Sequence, residues 1–143
     1  MLIAHVLRDK GEAVFTLSAE ATVEDACREL HARRVGALVV VDLDGCVCGV
    51  FSERDMVREV SRSGADALGQ PVSAVMTRGV ITADPSETID ECLARMTDRR
   101  IRHLPVLIDD RLAGVVSIGD LVKHRIAAVE AEAAAMQAYI TAH

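Results

Sequence analysis

The chain is nearly without aromatic side chains: two Phe, one Tyr and no Trp among 143 residues. Half of its residues are nevertheless apolar. One domain with a sizeable core is therefore possible, built from Val, Leu, Ile, Ala and Met, but the stacked rings that hold single-stranded nucleic acid are missing. Basic blocks are missing too. Lys and Arg number 16 against 22 Asp and Glu, and the formal charge of −6 opposes a phosphate backbone, which excludes nucleic acid as an expected partner. There is no long apolar run. Met1 to Leu7 is short, has no basic segment before it and runs into Arg8-Asp9-Lys10, so neither a signal peptide nor a membrane span is expected, and the expected location is cytoplasmic.

Catalytic and metal signatures are equally sparse. Ser52 and Ser117 lack a neighbouring His and lie in no G-x-S-x-G elbow, no Walker loop is present, and His5, His31, His124 and His143 are scattered, with solvent exposure expected. The chain is read as not an enzyme. Cys27 and Cys92 fall on apolar helix faces. The Cys46-Val47-Cys48 pair has no second C-x-C and no nearby His to complete a metal site, so all four cysteines are read as structural.

What the sequence does have is a duplication. Thr22-Val23-Glu24-Asp25-Ala26 returns as Thr88-Ile89-Asp90-Glu91-Cys92, an offset of 66 residues. Gly49-Val50-Phe51-Ser52-Glu53-Arg54-Asp55 returns as Gly114-Val115-Val116-Ser117-Ile118-Gly119-Asp120 at an offset of 65, so the first copy has one extra residue in its Asp42-Leu43-Asp44-Gly45 turn. A unit of this length is too large for a solenoid repeat and too small to bury a good core alone. Two units face to face would make one domain with a pseudo-twofold axis and related clefts between the halves, an arrangement suited to small molecules.

Each copy reads as β-α-β-β-α. Short entry strands are expected at Val14-Phe15-Thr16 and Val80-Ile81-Thr82. Helices follow from capping boxes at Thr22/Asp25 and Thr88/Glu91, then hairpins of Ala37 to Val41 with Val47 to Phe51, and of Leu104 to Ile108 with Leu112 to Val116. Pro105 cannot donate a ladder hydrogen bond and is expected at an edge or bulge. Second helices begin near Glu53 and Ile118. Ser63 to Pro71 has loop composition, and apolar pairs Val6-Leu7 and Val75-Met76 precede the two entry strands. The expected division is 1–69 for the first repeat with its linker, 70–126 for the second and 127–143 for a helical tail. From Leu121, the spacing of Val122, Ile126, Val129, Ala133, Met136 and Ile140 predicts one helix to about Ala138, whose far end has nothing in this chain to pack on and points to a partner subunit.

The repeated Gly-h-h-Ser-x-x-Asp (h, apolar) is the best site candidate. A strand ends, the Ser caps a helix, and the Asp falls on its first turn. A carboxylate there matches ribose hydroxyls, and the free N–H groups with the Ser hydroxyl match phosphate oxygens. The same pattern is also close to a capping box, and duplication copies caps as faithfully as sites.

Two such units, with Ile101-Arg102-His103-Leu104-Pro105-Val106 and Ser52-Glu53-Arg54-Asp55 in register, resemble the cystathionine β-synthase (CBS) domain family in its tandem arrangement, the Bateman module. The similarity covers about residues 3 to 126. It implies an α/β (α+β) fold of two β-α-β-β-α repeats packed sheet to sheet, two clefts that take adenosine compounds, and often a flat dimer. By motif, Asp55 and Asp120 would hold ribose, Ser52 and Ser117 would lie near phosphate, and Val50 and Val115 would flank the base. The family pattern crosses over. The Asp120 cleft would take Phe15, Thr16, Val35 and Gly36, and the Asp55 cleft would take Val80, Ile81, Thr82 and Ile101. The proline of the second copy is Val39 in the first.

The copies are unequal: Arg54 is matched by Gly119, and Arg102 and His103 by Gly36 and Ala37. As neighbours on a strand, Arg102 and His103 would serve different clefts, and Arg54 with Arg102 would make the Asp55 cleft the more anion-friendly. The expectation is a stand-alone regulatory module without an attached catalytic or transport domain. It would bind AMP, ADP, ATP, NAD or S-adenosylmethionine as a regulatory ligand, have no catalytic cofactor, form a homodimer and act in trans on a regulated protein of unknown identity. Its rivals are a ligand-independent interaction module, whose function is the tail helix and dimer surface, and an enzyme, which has only the clefts in its favour.

Overall fold

In the computed structural model, which describes residues 1–11 and 14–142, the duplication appears as two small sheets. His143 lies outside the described residues. The first sheet is β1 (Thr16–Ser18), β2 (Ala37–Val41) and β3 (Val47–Ser52), with β1 parallel to β2 and β2 antiparallel to β3. The second is the antiparallel pair β4 (His103–Ile108) and β5 (Arg111–Ser117). Helices α1 (Ile3–Lys10), α2 (Val23–Arg33), α3 (Glu53–Ser63), α4 (Val72–Val75), α5 (Ile89–Arg99) and α6 (Ile118–Ala142) surround them.

Local chemistry sets the boundaries. Thr22 accepts the Asp25 N–H at 3.1 Å and Asp25 returns the bond to the Thr22 N–H at 3.1 Å, which starts α2 and holds the Asp25 carboxyl below its ordinary range. At α5, Thr88 caps Glu91 in the same way, but Glu91 does not return the bond. Both helices end on an arginine in the left-handed region, Arg34 at φ 55° and Arg100 at φ 54°. In the second hairpin, Asp109 and Asp110 both have positive φ, the combination that matches the strand twist in a two-residue turn. The stretch after α3 was expected to be a loop. It is a 3-10 helix, Gly64–Gly69, because Ala67 is fully buried and anchors it.

The apolar pairs ahead of each copy turn out to be helices, and they are exchanged. Ile3 and Val6 of α1 lie in the core of the second repeat with Ile89, Met96, Leu104, Val116 and Leu121. Val72, Val75 and Met76 from α4 and its C-cap lie in the core of the first, with Val23, Leu38, Val40 and Phe51. The backbone bonds repeat this reciprocity. Ile3 N–H donates to Glu87 O (2.9 Å) and Ile89 N–H to Met1 O (3.1 Å), while Val72 N–H donates to Ala21 O (2.8 Å) and Val23 N–H to Gln70 O (2.9 Å). Each half-core therefore needs a helix from the other side of the duplication. The close approach explains the glycine of the repeated motif, since a Cβ on Gly49 would strike the Met76 side chain and one on Gly114 would strike Leu7.

The entry strand of the second copy departs from expectation. Val80 to Thr82 form no ladder; only Ala83 bridges to Val106. Pro105 accounts for this. Its carbonyl accepts the Ala83 N–H (2.9 Å), so its ring nitrogen faces the entry segment and has no N–H to give. The first copy has Val39 there, paired with Thr16, and keeps a three-residue strand.

Helix α6 runs 25 residues, to Ala142 rather than Ala138, and only Leu121 on it is buried. Val122, Ile126, Val129, Met136, Tyr139 and Ile140 are exposed. Among the described residues no helix is long and apolar enough to cross a membrane.

Candidate ligand cleft

The Asp55 half of the duplication opens into a cavity of about 330 Å³ between the repeats. Repeat 1 gives it Gly36, Val50 and the run Ser52 to Asp55 with Arg58, and the second half gives Thr77, Gly79, Val80, Ile81 and Arg100 to His103. The strand ends and the starts of α3 meet here because Glu53 N–H is tied to Gly36 O at 3.0 Å, just as Ile118 N–H is tied to Arg102 O at 2.8 Å.

Asp55, on the first turn of α3, is the cavity's innermost charge and is only 3% exposed. Its Oδ2 accepts the Ser52 N–H (2.9 Å) and hydroxyl (3.2 Å). Its Oδ1 accepts the Thr77 hydroxyl (3.1 Å) and faces Arg58 Nη1 (3.0 Å). Ser52 Oγ in turn accepts the Asp55 N–H at 3.4 Å, so the motif is a capping box as well as a cleft wall. The carboxylate is fixed by four donors. One of them, on the exposed Thr77, belongs to a freely rotating hydroxyl that a ligand hydroxyl could replace.

Four arginines line the cavity, Arg54, Arg58, Arg100 and Arg102, against two carboxylates, Glu53 and Asp55. That balance inverts the sign of the whole chain. Arg54 reaches across the mouth and donates from Nη1 to Arg100 O at 3.3 Å, bracing α3 against the C-cap of α5.

Arg102 and His103 were expected to face different clefts. Both line this one. Strand alternation does not apply, because β4 begins at His103 and Arg102 lies before it. The His103 imidazole packs on Gly36, where an added Cβ would meet Cε1 at 3.3 Å. Burial, with Lys10 and Arg102 nearby, lowers its pKa from the ordinary 6.5. Thr82 does not line the cavity: its carbonyl accepts Arg95, which also pairs with Glu87 and holds the start of α5. Ala37 is likewise absent from the lining, since it lies within β2, opposite Ser52.

At the other motif, Asp120 Oδ2 accepts the Ser117 N–H at 2.9 Å and Ser117 Oγ accepts the Asp120 N–H at 3.1 Å. Burial alone would raise this carboxyl, but Lys10 and Ser117 hold it below its ordinary range. Lys10 Nζ lies 2.7 Å from Asp120 Oδ2 and 2.8 Å from Val115 O. Gly119 is exposed beside it. Phe15 and Val35 pack at the edge of the first core, Phe15 with Arg33 stacked 4.5 Å from its ring centre, Thr16 is exposed, and Gly36, expected in the Asp120 cleft, lines the Asp55 cavity instead.

His124, expected in solvent, is mostly covered and lies 3.7 Å from Asp9. Cys92 is buried, Cys27 touches Met56, and no cluster of metal-ligating residues occurs among the described residues. Sequence reasoning missed Glu53, Arg58, Thr77, Gly79, Arg100 and Lys10. Arg58 is legible as an i,i+3 partner of Asp55 on a helix, but Thr77 and Lys10 belong to no repeated motif.

Comparison with known proteins agrees with this architecture. The CBS domain model matches residues 10–62 and again 72–127. The chain is 33% identical over 146 residues to the mitochondrial CBS domain-containing protein CBSX3 of Arabidopsis thaliana, covering 96% of this chain and 71% of that one. It superposes on the CBS-domain containing protein ATU1752 from Agrobacterium tumefaciens with a TM-score of 0.84 and 43% identity, over 87% of this chain and 92% of that one. The CBS domain pair of MJ0100, solved with 5′-methylthioadenosine and S-adenosyl-L-methionine, shares the fold at a TM-score of 0.77 and 23% identity, over 86% and 94% of the two chains. With both halves of the duplication matched and the exchanged cores in place, the chain belongs to the CBS domain family and carries two CBS domains in tandem.

Proposed function

We propose that this protein is a regulatory module that binds an adenosine nucleotide in the Asp55 cleft and passes the occupancy to another protein in trans. The observation that carries the reading is a buried, pre-oriented carboxylate at a strand end beside four arginines, in a cavity of about 330 Å³. Asp55 suits the ribose, whose hydroxyl takes the place of Thr77's. Ser52, Arg54 and Arg102 suit phosphate, and Val50, Val80, Ile81 and Ile101 suit the base. That MJ0100 holds two adenosine compounds in the same fold supports the base and ribose part of this reading. The arginine excess favours a phosphate-bearing ligand, AMP, ADP, ATP or NAD, over a neutral or cationic one.

Assembly as a homodimer belongs to the same proposal. Val57 and Val60 on α3 and Val122, Ile126 and Val129 on α6 present apolar side chains to solvent, and a second copy would cover them. The same faces are what a ligand-independent interaction module would use. The four free thiols fit a reducing compartment such as the cytoplasm.

A thermal-shift screen across AMP, ADP, ATP, NAD and S-adenosylmethionine tests the reading. A ligand at a hundred times its Kd stabilises the folded chain by roughly 2.7 kcal/mol if it binds only that state. No shift with any adenine compound would leave the interaction module as the better account.

A further inference from the structure

Each motif aspartate takes one donor from the other copy, and these two donors differ in kind, although Asp55 also keeps Arg58 of its own helix at 3.0 Å. At Asp55 the visitor is Thr77, a neutral hydroxyl at 3.1 Å, while Thr77's backbone pairs with the Val50 peptide in both directions at 3.0 and 2.9 Å. At Asp120 one lysine does both jobs: Nζ of Lys10 takes the carboxylate at 2.7 Å and the Val115 carbonyl at 2.8 Å. Val115 and Val50 are the same position of the duplication, and so are Asp120 and Asp55. The ammonium therefore stands on the two groups that would meet the ribose and the base of a ligand in the second cleft.

The difference in chemistry gives a difference in access. A threonine hydroxyl is an uncharged donor that leaves by rotation about one bond, with Ser52 and Arg58 still in place on Asp55. Lys10 must give up a charge-assisted bond and an ion pair that is partly shielded, with side chains 40% and 29% exposed. It can do so without unfolding α1, because Lys10 is the last residue of that helix, Gly11 follows at φ 93°, and the anchors Ile3 and Val6 lie turns away in the core.

Resting on the nucleotide reading above, we propose that Lys10 is an internal competitor for the Asp120 cleft, so that the chain fills its clefts in order, Asp55 first and Asp120 only as the ammonium withdraws. Lys10 is thus the residue that decides which cleft is open at low ligand concentration.

The test is calorimetry of the full chain with ATP, in the parent and in Lys10→Met. Two steps are expected in the parent. In the variant the weaker step tightens roughly two- to fivefold, the size of a partly exposed ion pair, and the tighter step stays put. Amine labelling of the parent gives a reading that does not depend on how the variant folds. Lys123, the only other lysine, is exposed and serves as the reference. Lys10 should label more slowly than Lys123 without nucleotide and gain reactivity as the second step fills. A weaker step unchanged or loosened in Lys10→Met, a single step in both proteins, or Lys10 labelling at the Lys123 rate throughout would overturn the competitor while leaving the Asp55 site standing. Absence of binding in both proteins with every adenine compound would overturn the nucleotide reading, and the competitor with it.

Discussion

Thr77 of the second copy donates its hydroxyl to Asp55 of the first at 3.1 Å, and so closes the cleft wall across the duplication. The motif aspartate is therefore not a free surface group. Its four donors come from Ser52, Thr77 and Arg58.

Asp55→Ala should accordingly cost both ligand and fold. Removing a buried carboxylate that accepts charged and neutral donors costs roughly 2 to 3 kcal/mol, whereas Asp120→Ala, at a partly exposed cap, should cost about 1 kcal/mol. Urea denaturation of the two variants measures the difference. Equal losses would mean that burial of Asp55 contributes nothing, and normal nucleotide binding by both would reduce the repeated motif to a pair of helix caps.

Arg54→Gly should weaken ATP or ADP more than adenosine, since the guanidinium at the mouth can turn from the Arg100 carbonyl to a phosphate oxygen. A loss of roughly fivefold for ATP, shrinking with added salt, is the size expected of a partly exposed contact. Calorimetry with adenosine and ATP reads it directly. Equal losses for both ligands would assign Arg54 to bracing α3 against α5 and nothing more.

Acidification should destabilise the fold through His103. Burial lowers its folded pKa below the ordinary 6.5, so the unfolded chain takes up the proton first. Its contribution is complete above about that value and is lost as the pH falls through the lowered folded value. Melting curves between pH 8 and about pH 5 should show the drop, and His103→Gln should flatten it. A parent and variant with parallel pH profiles would exclude His103 as the source.

Truncation after Ile126 removes Val129, Met136, Tyr139 and Ile140, the exposed far end of α6. Sedimentation should then show a dimer weakened but not abolished, because Val57 and Val60 of α3 remain. An unchanged mass across a wide concentration range would place the tail outside the assembly interface.

Periodicity and caps alone placed the elements that local chemistry controls. Thr22, Thr88, Ser52 and Ser117 start helices because side chains within three residues of each satisfy free N–H groups. The segment from Leu121 is a helix because its apolar residues recur at helical spacing and nothing in it breaks one. The duplication predicts two related clefts, and the cavity at the first motif is lined by Asp55, Arg54, Val80, Ile81 and Ile101. Tertiary structure decided the rest. Only packing could show that α1 and α4 are exchanged between the half-cores, because Ile3 and Val72 look alike and would suit either one. Pro105 reduced an expected strand to one bridge through a donor missing on a neighbouring strand. Thr77 and Lys10 are far in sequence from the aspartates they hold. Hydrogen bonds depend on where the chain returns in space, and a repeated motif contains no record of which donor will meet it there.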